Sequence, residues 1–439
     1  MNKNILRLAI PSIVSNISIP LLGMVDLALV GHLENIEYIG AVSIGSMIFN
    51  FIYWGFSFLR MGTTGLTAQA YGSRNLTEAL LTLARSFIIG LGGALVILLL
   101  QKPIDFLSFS IFHGSENVEK YAQQYFYIRI WAAPATIGLY SLTGWFIGMQ
   151  NTRFPMIITI FINVLNIVFS LYFVLEMDMK SDGVALGTVI AQYLGFGLSI
   201  FLYHRYYRRL NKYWDIKKML NSEALKKFFN INKDIFIRTL FLIFAFAFFT
   251  AESANMGDEI LAINTLLLQY FMFFSYLIDG FAYSAEALTG KYMGAKSVIK
   301  LKESIKLLFI WGAATSIPFS LSYLAGGKFI LGLLTNNQEL IGLSSEYLFW
   351  IALVPIITFP AFILDGIFIG ATASVGMRNS MVISILIFYL PVYYLLKGSL
   401  GNHSLWLAFM VFMISRGVLL LIRLPKDVFK KISGTVINN

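Results

Sequence analysis

Long apolar runs alternate with short polar stretches from one end of the chain to the other. The hydrocarbon core of a bilayer is about 30 Å thick, and a helix needs about 20 mostly apolar residues to cross it. Twelve runs are long enough, so the pattern predicts twelve membrane-spanning helices, numbered here as spans 1 to 12. The predicted spans cover residues 6–31, 38–60, 79–100, 122–149, 154–175, 183–204, 235–254, 260–284, 304–325, 345–370, 379–397 and 404–424.

The charged residues between the runs predict how the spans are oriented. Most of the 33 lysines and arginines lie in the terminal segments and in the loops that follow even-numbered spans. Because cytoplasmic loops of membrane proteins carry an excess of Lys and Arg, we expect both termini to be cytoplasmic. The chain is thus predicted to be a multi-pass protein of the plasma membrane, which in a bacterium is the inner membrane.

The loop after span 6 is the most basic of all and divides the chain. Lysines and arginines alternate there with Trp214, Phe228 and Phe229, which is typical of an amphipathic segment that lies along a membrane surface. The predicted domains are an N-lobe of spans 1 to 6 at residues 1–210, a cytoplasmic linker at 211–234, and a C-lobe of spans 7 to 12 at 235–439.

Two stretches of the chain repeat each other with a constant offset. Residues 66–72 (LTAQAYG) resemble residues 288–294 (LTGKYMG), and residues 146–148 (FIG) recur at 368–370, in both cases 222 positions later. One offset over more than a hundred residues predicts two six-helix bundles of common design. Six is an even number, so both lobes begin on the same side and their pseudo-twofold axis is expected along the membrane normal. The predicted fold class is therefore an all-α polytopic membrane protein with two pseudo-twofold-related six-helix lobes.

Composition narrows the possible functions. The 439 residues are 57% hydrophobic and 13% charged, and the chain contains no cysteine, so disulfides, thiol metal sites and cysteine nucleophiles are excluded. The net charge of +10 follows from the topology, and we expect membrane lipids rather than nucleic acid as its partners. The first span lacks a small-residue cleavage site, so we expect it to remain as helix 1 rather than to be a removable signal peptide.

A single carboxylate, Asp26, lies within the first span. An ionised carboxylate at membrane depth costs at least about 2.5 kcal/mol and is usually functional, and a surrounding of low dielectric favours its protonated form. Pro11 and Pro20 in the same span each remove a backbone hydrogen bond and permit a bend. We therefore predict that protonation of Asp26 is coupled to bending of helix 1, with simple packing kinks as the alternative for the prolines.

Polar residues of the other N-lobe spans are candidates for an internal cavity. Asn163, Asn166 and Ser170 are spaced by three and four residues and so share one face of the fifth span. Hydrogen bonding between helices explains the same pattern equally well. Further polar candidates for the cavity are Thr188 and Gln192 on the sixth span and Tyr140 on the fourth.

The C-lobe has acids of its own. Asp279 and Glu286 are two turns apart in the eighth span, and Asp365 lies in the tenth. We predict an ion-paired interlobe or gating network of these acids with arginines inside the spans, and Arg60 is its first candidate. Other arginines inside spans that can neutralise the acids are Arg85, Arg129, Arg238 and Arg416.

Enzymatic chemistry finds no support in the motifs. The stretch 294–297 (GAKS) lacks the glycine that a phosphate-binding loop needs directly before its lysine. The four histidines lie at span ends without metal-ligand spacing. We predict a protein that is not an enzyme and has no cofactor or metal, with H+ as coupling ion and Na+ as the alternative.

Several blocks of the sequence resemble a known family, the multidrug and toxic compound extrusion (MATE) transporters, and in particular its DNA-damage-inducible F (DinF) branch. The blocks that carry this resemblance are residues 24–33, 58–70, 279–287, 365–372 and 377–381. It implies a V-shaped fold of two lobes and the export of organic cations and other amphipathic compounds in exchange for H+ or Na+.

The resemblance also implies roles for individual residues. Asp26 matches the helix-1 carboxylate to which the family's proton coupling is assigned, Pro11 matches its bending proline, and Asn166 matches a cavity asparagine. The family pattern has an aspartate four residues after that asparagine, where this chain has Ser170. A relay with two acids is therefore in doubt, and Asp26 is expected to act alone or with hydroxyl and amide partners.

The predicted function is that of a monomeric secondary antiporter that exports amphipathic or cationic small molecules in exchange for protons by alternating access. A flippase for a lipid-linked oligosaccharide, as in the wider superfamily, is the alternative. Its pyrophosphate cargo favours a cationic cavity, whereas these spans place acids in both lobes.

Overall fold

A computed structural model describes residues 1–31, 36–112 and 114–432 of the chain. Within these ranges the side chains of residues 24, 26–28, 30, 31 and 36 fall outside the description, and the candidate Asp26 is one of them. Every regular element in the described ranges is helical. The helices of the first half are α1 Asn2–Gly31, α2 Ile36–Gly55, α3 Ser57–Gly72, α4 Leu76–Leu99, α5 Gln101–Ile111, α6 Glu116–Arg129, α7 Ala133–Gly148, α8 Arg153–Leu171 and α9 Ser181–Tyr207. Those that follow are α10 Ile216–Met219, α11 Ser222–Asn255, α12 Asp258–Gly294, α13 Val298–Leu334, α14 Gln338–Ser344, α15 Leu348–Gly370, α16 Ser374–Ile383, α17 Leu390–Leu400 and α18 Asn402–Leu424.

Twelve helical segments in the described ranges are long and apolar enough to cross a membrane, as the sequence predicts. Several extend beyond the apolar runs: span 8 was expected at 260–284, but α12 continues to Gly294. The apolar pattern ends where polar side chains begin, whereas the helical hydrogen bonds continue into them. Span 2 consists of two helices, α2 and α3, which are separated at Phe56.

Contacts divide the chain into two compact units. The N-terminal unit comprises Val14–Tyr71 and Asn75–Phe229, and the C-terminal unit comprises Met1–Ile13, Gly72–Arg74 and the chain from Asn230 onward. This division differs from the predicted boundaries at both ends of the N-lobe. The start of α1 packs in the C-terminal unit, where Ser284 Oγ donates a hydrogen bond of 3.2 Å to the carbonyl of Ile5. Most of the basic linker packs in the N-terminal unit instead.

The offset of 222 residues recurs in the packing of each unit. A Cβ atom at Gly144 would collide with the carbonyl oxygen of Arg60, and one at Gly366 with the carbonyl oxygen of Ala282. Both glycines therefore let two helix backbones touch within their unit, α7 against α3 and α15 against α12.

The same offset relates the turns that follow these helices. Arg74 and Lys296 both have positive φ, at 58° and 52°, and so do Gln150 and Thr372, at 65° and 50°. Non-glycine residues rarely adopt this region, so its recurrence at matched positions reflects a common backbone. The internal repeat is thus a property of the structure as well as of the sequence.

Replacing Gly366 by Ala is expected to destabilise the protein by about 1 to 3 kcal/mol, because the new methyl group forces two backbones apart. Gly92 in α4 is the matched control, since a Cβ atom there would meet nothing within 4 Å. Gly92→Ala is expected to leave the stability unchanged or to raise it, as alanine favours a helix. Thermal unfolding of the purified variants in detergent measures both effects, and equal melting temperatures would contradict the close contact.

Candidate functional site

Hydrogen bonds join α1 to α8 inside the N-terminal unit. Ser15 Oγ donates to Thr159 Oγ1 over 3.0 Å. Asn163 Nδ2 donates to the carbonyl oxygen and to Oγ of Ser18, both over 3.0 Å. These hydrogen bonds between amide and hydroxyl groups join two otherwise mostly apolar helices. They fix the position of α1 along the axis of α8.

A second polar cluster joins α8 to α9. Asn166 Nδ2 donates to Thr188 Oγ1 over 2.9 Å, and Ser170 Oγ donates to Asn166 Oδ1 over 3.3 Å. All three side chains are buried. The structure thus contains the hydrogen bonds between helices that the sequence left open as one explanation of this face. A role of Asn166 and Ser170 in proton coupling stays a prediction.

The remaining N-lobe candidates lie around these clusters. Gln192 is half-buried one turn after Thr188 on α9, and Tyr140 is half-buried on α7. Pro11 and Pro20 both lie within α1, which continues through them as one helix. The bending of helix 1 therefore stays a prediction, and the Asp26 side chain lies outside the described residues.

The C-terminal unit contains a buried ion cluster around one acid. Asp365 on α15 forms ion pairs with Arg238 on α11 and Arg416 on α18. The exposed fractions of the three residues are 6%, 5% and 2%, so the charges are almost fully removed from water. Removing charges from water costs several kcal/mol per ion, and in return Asp365 gains two partners of opposite charge.

This cluster joins one acid and two arginines of the predicted candidates, and the interlobe network itself stays a prediction. Its arginines come from the wider set of candidates, whereas the first candidate, Arg60, belongs to the N-terminal unit. Glu286 is buried and Asp279 half-buried on α12. Several arginines lie inside the spans, and the sequence does not say which of them the folding of α11 and α18 brings to Asp365.

One polar cluster was missed by the sequence analysis. Asn264 on α12 and Asn402 on α18 exchange two amide hydrogen bonds of 2.7 and 3.0 Å. Trp406 Nε1 also donates to Asn264, and Asn264 donates to Ser253 Oγ. Each donor and acceptor of the Asn264 amide is therefore used, which is typical of a structural polar network in an apolar core. The signals were an asparagine near the start of the predicted eighth span, Asn264, and one just before the twelfth, Asn402.

Two features bear on cofactors. Within the described ranges, no group of three or more His, Asp or Glu side chains is arranged to hold a metal ion. The polar clusters of both units are built from amides, hydroxyls and ion pairs inside apolar helices. Such clusters, within twelve long apolar helices in two related halves, define a polytopic membrane protein built from two repeats, an architecture that many membrane transporters share.

Comparison with known proteins names the family within this class. Residues 11–172 and 235–395 match the model of the MatE family, and the chain belongs to that family. The predicted MATE resemblance is confirmed, and with it the prediction of a membrane transporter that is not an enzyme.

Individual relatives agree with this assignment. The chain is 37% identical to the DNA damage-inducible protein F of Escherichia coli K12 over 95% of its own length and 90% of that protein. Its fold is similar to a crystal structure of MATE in the bent conformation, with a TM-score of 0.89 and 19% identity over 99% of this chain and 97% of that one. An outward-facing multidrug resistance MATE transporter matches with a TM-score of 0.86 and 20% identity, over 98% of this chain and 96% of that one. At such identities the structures show a common fold.

Proposed function

We propose that this protein is a secondary antiporter that exports amphipathic or cationic organic compounds in exchange for protons. It works as a monomer in the plasma (bacterial inner) membrane, with both termini in the cytoplasm and with no cofactor. Membership in the MatE family supports the transport of small molecules. So does the likeness to the rabbit protein named multidrug and toxin extrusion protein 1, which is 23% identical over 78% of this chain and 60% of that protein.

The register of α1 against α8 is the observation that carries the proposed coupling. Ser15 pairs with Thr159 and Ser18 with Asn163, at differences of 144 and 145 in residue number. The two helices therefore run side by side in the same direction and rise equally per residue. Continued over two more turns, the same difference of 144 pairs position 26 with position 170, and from this extrapolation we propose that Asp26 acts beside the Asn166 cluster.

In this proposal the Asp26 carboxylate alternates between two states: ionised with a bound substrate, and protonated without one. The ionised form of Asp26 favours a bound cationic or amphipathic compound, and a proton from outside neutralises it. The hydroxyl and amide groups at this level then serve as hydrogen-bond partners for the protonated acid, while α1 changes its bend at Pro11 or Pro20. One proton that crosses a potential of 100 mV supplies about 2.3 kcal/mol for the cycle.

Transport in proteoliposomes tests the proposal and separates it from its alternatives. Purified protein is given a pH gradient or a Na+ gradient, and the movement of a cationic dye is recorded. A response to the pH gradient alone is expected. A response to the Na+ gradient alone would show that Na+ rather than H+ is the coupling ion. Movement of a lipid-linked sugar without either gradient would favour the flippase.

Replacing Asn163 by Ala is expected to lower pH-driven transport several-fold while leaving exchange of substrate for substrate nearly unchanged. The variant removes both hydrogen bonds to Ser18 and so weakens the attachment of α1 to α8. Substrate exchange needs no net proton movement, so comparing it with pH-driven uptake isolates the coupling. Val164→Ala, at an exposed position of the same helix, is the control; equal losses of both activities in Asn163→Ala would contradict the proposed role.

A further inference from the structure

A cavity of about 290 Å³ lies in the N-terminal unit, between α3, α4 and the start of α11. Its volume is close to the lower end of the range for small-molecule sites, about 300 to 1,000 Å³. Leu66, Ala224 and the buried Phe228 form apolar walls, Asn221 adds an amide, and the other four lining residues are charged. These are Glu78, Arg85, Glu223 and Lys227. The polar clusters of α8 and α9 take no part in it.

Arg85 makes the wall of this cavity rigid. Its guanidinium is buried and donates to the carbonyl oxygens of Met219 and Lys218 over 3.2 and 2.9 Å. It also forms an ion pair of 2.6 Å with Glu78. The arginine thereby fastens the linker to α4, and its positive charge stays at the edge of the cavity.

The linker around α10 is ordered by a local cap. Asp215 accepts a hydrogen bond of 3.1 Å from the backbone N–H of Lys218. This bond, together with the charge of the Lys218 side chain, holds the pKa of Asp215 below its usual value. The linker therefore has a defined conformation where its carbonyl groups meet Arg85.

The charges that line the cavity call for a ligand with charges of both signs. Lys227 suits a phosphate, and the positive charge of Arg85 lies beside it in the lining. Glu223 and Glu78 suit an ammonium group. A purely anionic ligand would meet two carboxylates, and a purely cationic ligand would meet two basic side chains.

The surface beside the cavity has the character of a membrane interface. Four large apolar side chains of the linker and of the start of α11 are more than half exposed, next to several lysines. They are Trp214, Ile216, Leu220 and Phe229. Exposed apolar groups interspersed with lysines are typical of segments that lie in the head-group region of a bilayer. A lipid is therefore the nearest source of a molecule that has both a phosphate and an ammonium group.

We propose that this cavity binds the phosphoethanolamine head group of a phospholipid. Lys227 contacts the phosphate, and Glu223 and Glu78 accept hydrogen bonds from the primary ammonium. The lipid ties the linker to the membrane surface. This site is independent of the proton-coupled export proposed above, because it is lined by other helices and its test needs no transport.

The test compares melting temperatures of the full-length protein in a neutral detergent after addition of single phospholipids. Phosphatidylethanolamine is expected to raise the melting temperature more than phosphatidylcholine or phosphatidylglycerol. The first control lipid lacks the N–H donors that the glutamates bind, and the second lacks the cation. Titration gives an apparent affinity, which is expected to fall at least about tenfold in Lys227→Gln.

The chain offers a matched control in the neighbouring lysine. Lys226 lies on the same exposed turn but does not line the cavity, so Lys226→Gln is expected to keep the affinity for phosphatidylethanolamine. Ala224→Phe fills the cavity and is expected to remove the effect without any change of charge. An equal response to all three lipids, or an equal loss in both lysine variants, would overturn the proposal. If soluble phosphoethanolamine stabilises the protein equally at the same concentration, the proposal that the bound head group belongs to a membrane lipid is wrong.

Discussion

Asp26→Asn is expected to abolish pH-driven export while the protein still folds and inserts. Asparagine has nearly the same shape as aspartate but cannot exchange a proton, so the membrane potential and the pH gradient no longer act on α1. One proton across 100 mV sustains a gradient of about 50-fold for an uncharged substrate, from about 2.3 kcal/mol at about 1.4 kcal/mol per factor of ten. The variant is expected to build up no gradient at all.

The experiment uses proteoliposomes with an imposed pH gradient and a fluorescent amphipathic substrate. Size-exclusion profiles and melting temperatures in detergent show whether the variant is folded. Asp258→Asn is the control, because Asp258 is an exposed acid at the start of α12 and should have no part in coupling. Wild-type accumulation by the Asp26→Asn protein would refute the proposed coupling, whatever the behaviour of the control.

Asp365→Asn is expected to reduce stability by about 3 to 5 kcal/mol, enough to lower the yield of folded protein severely. The substitution removes the negative charge that faces two buried arginines, Arg238 and Arg416. Removing one partner of a buried ion pair costs far more than replacing the whole pair by apolar residues. The charge that remains is then unpaired in a surrounding of low dielectric.

A triple variant distinguishes this electrostatic effect from a loss of packing. Replacing Asp365 by Ala and both arginines by Met removes all three charges and keeps much of the apolar volume, so stability is expected to return towards that of the wild type. Thermal unfolding of the single and triple variants in detergent makes the comparison, with Asp258→Asn as an exposed acid that should change little. If the triple variant is no more stable than Asp365→Asn alone, packing rather than charge explains the role of Asp365.

The candidate site shows how far helical spacing can be trusted. The spacing correctly places Asn163 and Asn166 near one another on α8, but their side chains bond to different helices, to Ser18 of α1 and to Thr188 of α9. Three residues turn a helix by about 300°, so the two asparagines diverge by about 60°, enough to reach two neighbours. Spacing gives the angle of a side chain and leaves the identity of its neighbour open.

By itself, the sequence determined the number of membrane spans and the internal repeat. An α-helix that crosses a bilayer must be long and apolar, and this requirement is local enough to be visible in a window of about 20 residues. The offset of 222 residues was also visible in the sequence. Where the same backbone recurs, the same glycines and turn residues are needed at matched positions.

Only the tertiary structure decided the partners of the buried polar groups. Asp365 meets arginines that are 127 and 51 residues away in the chain, and Asn264 meets Asn402 at a distance of 138 residues. It also assigned the first turns of α1 to the C-terminal unit and most of the basic linker to the N-terminal one. The physical reason is that the cost of burying a charge or an amide is set by the residue itself, whereas its compensation depends on which helices pack against it.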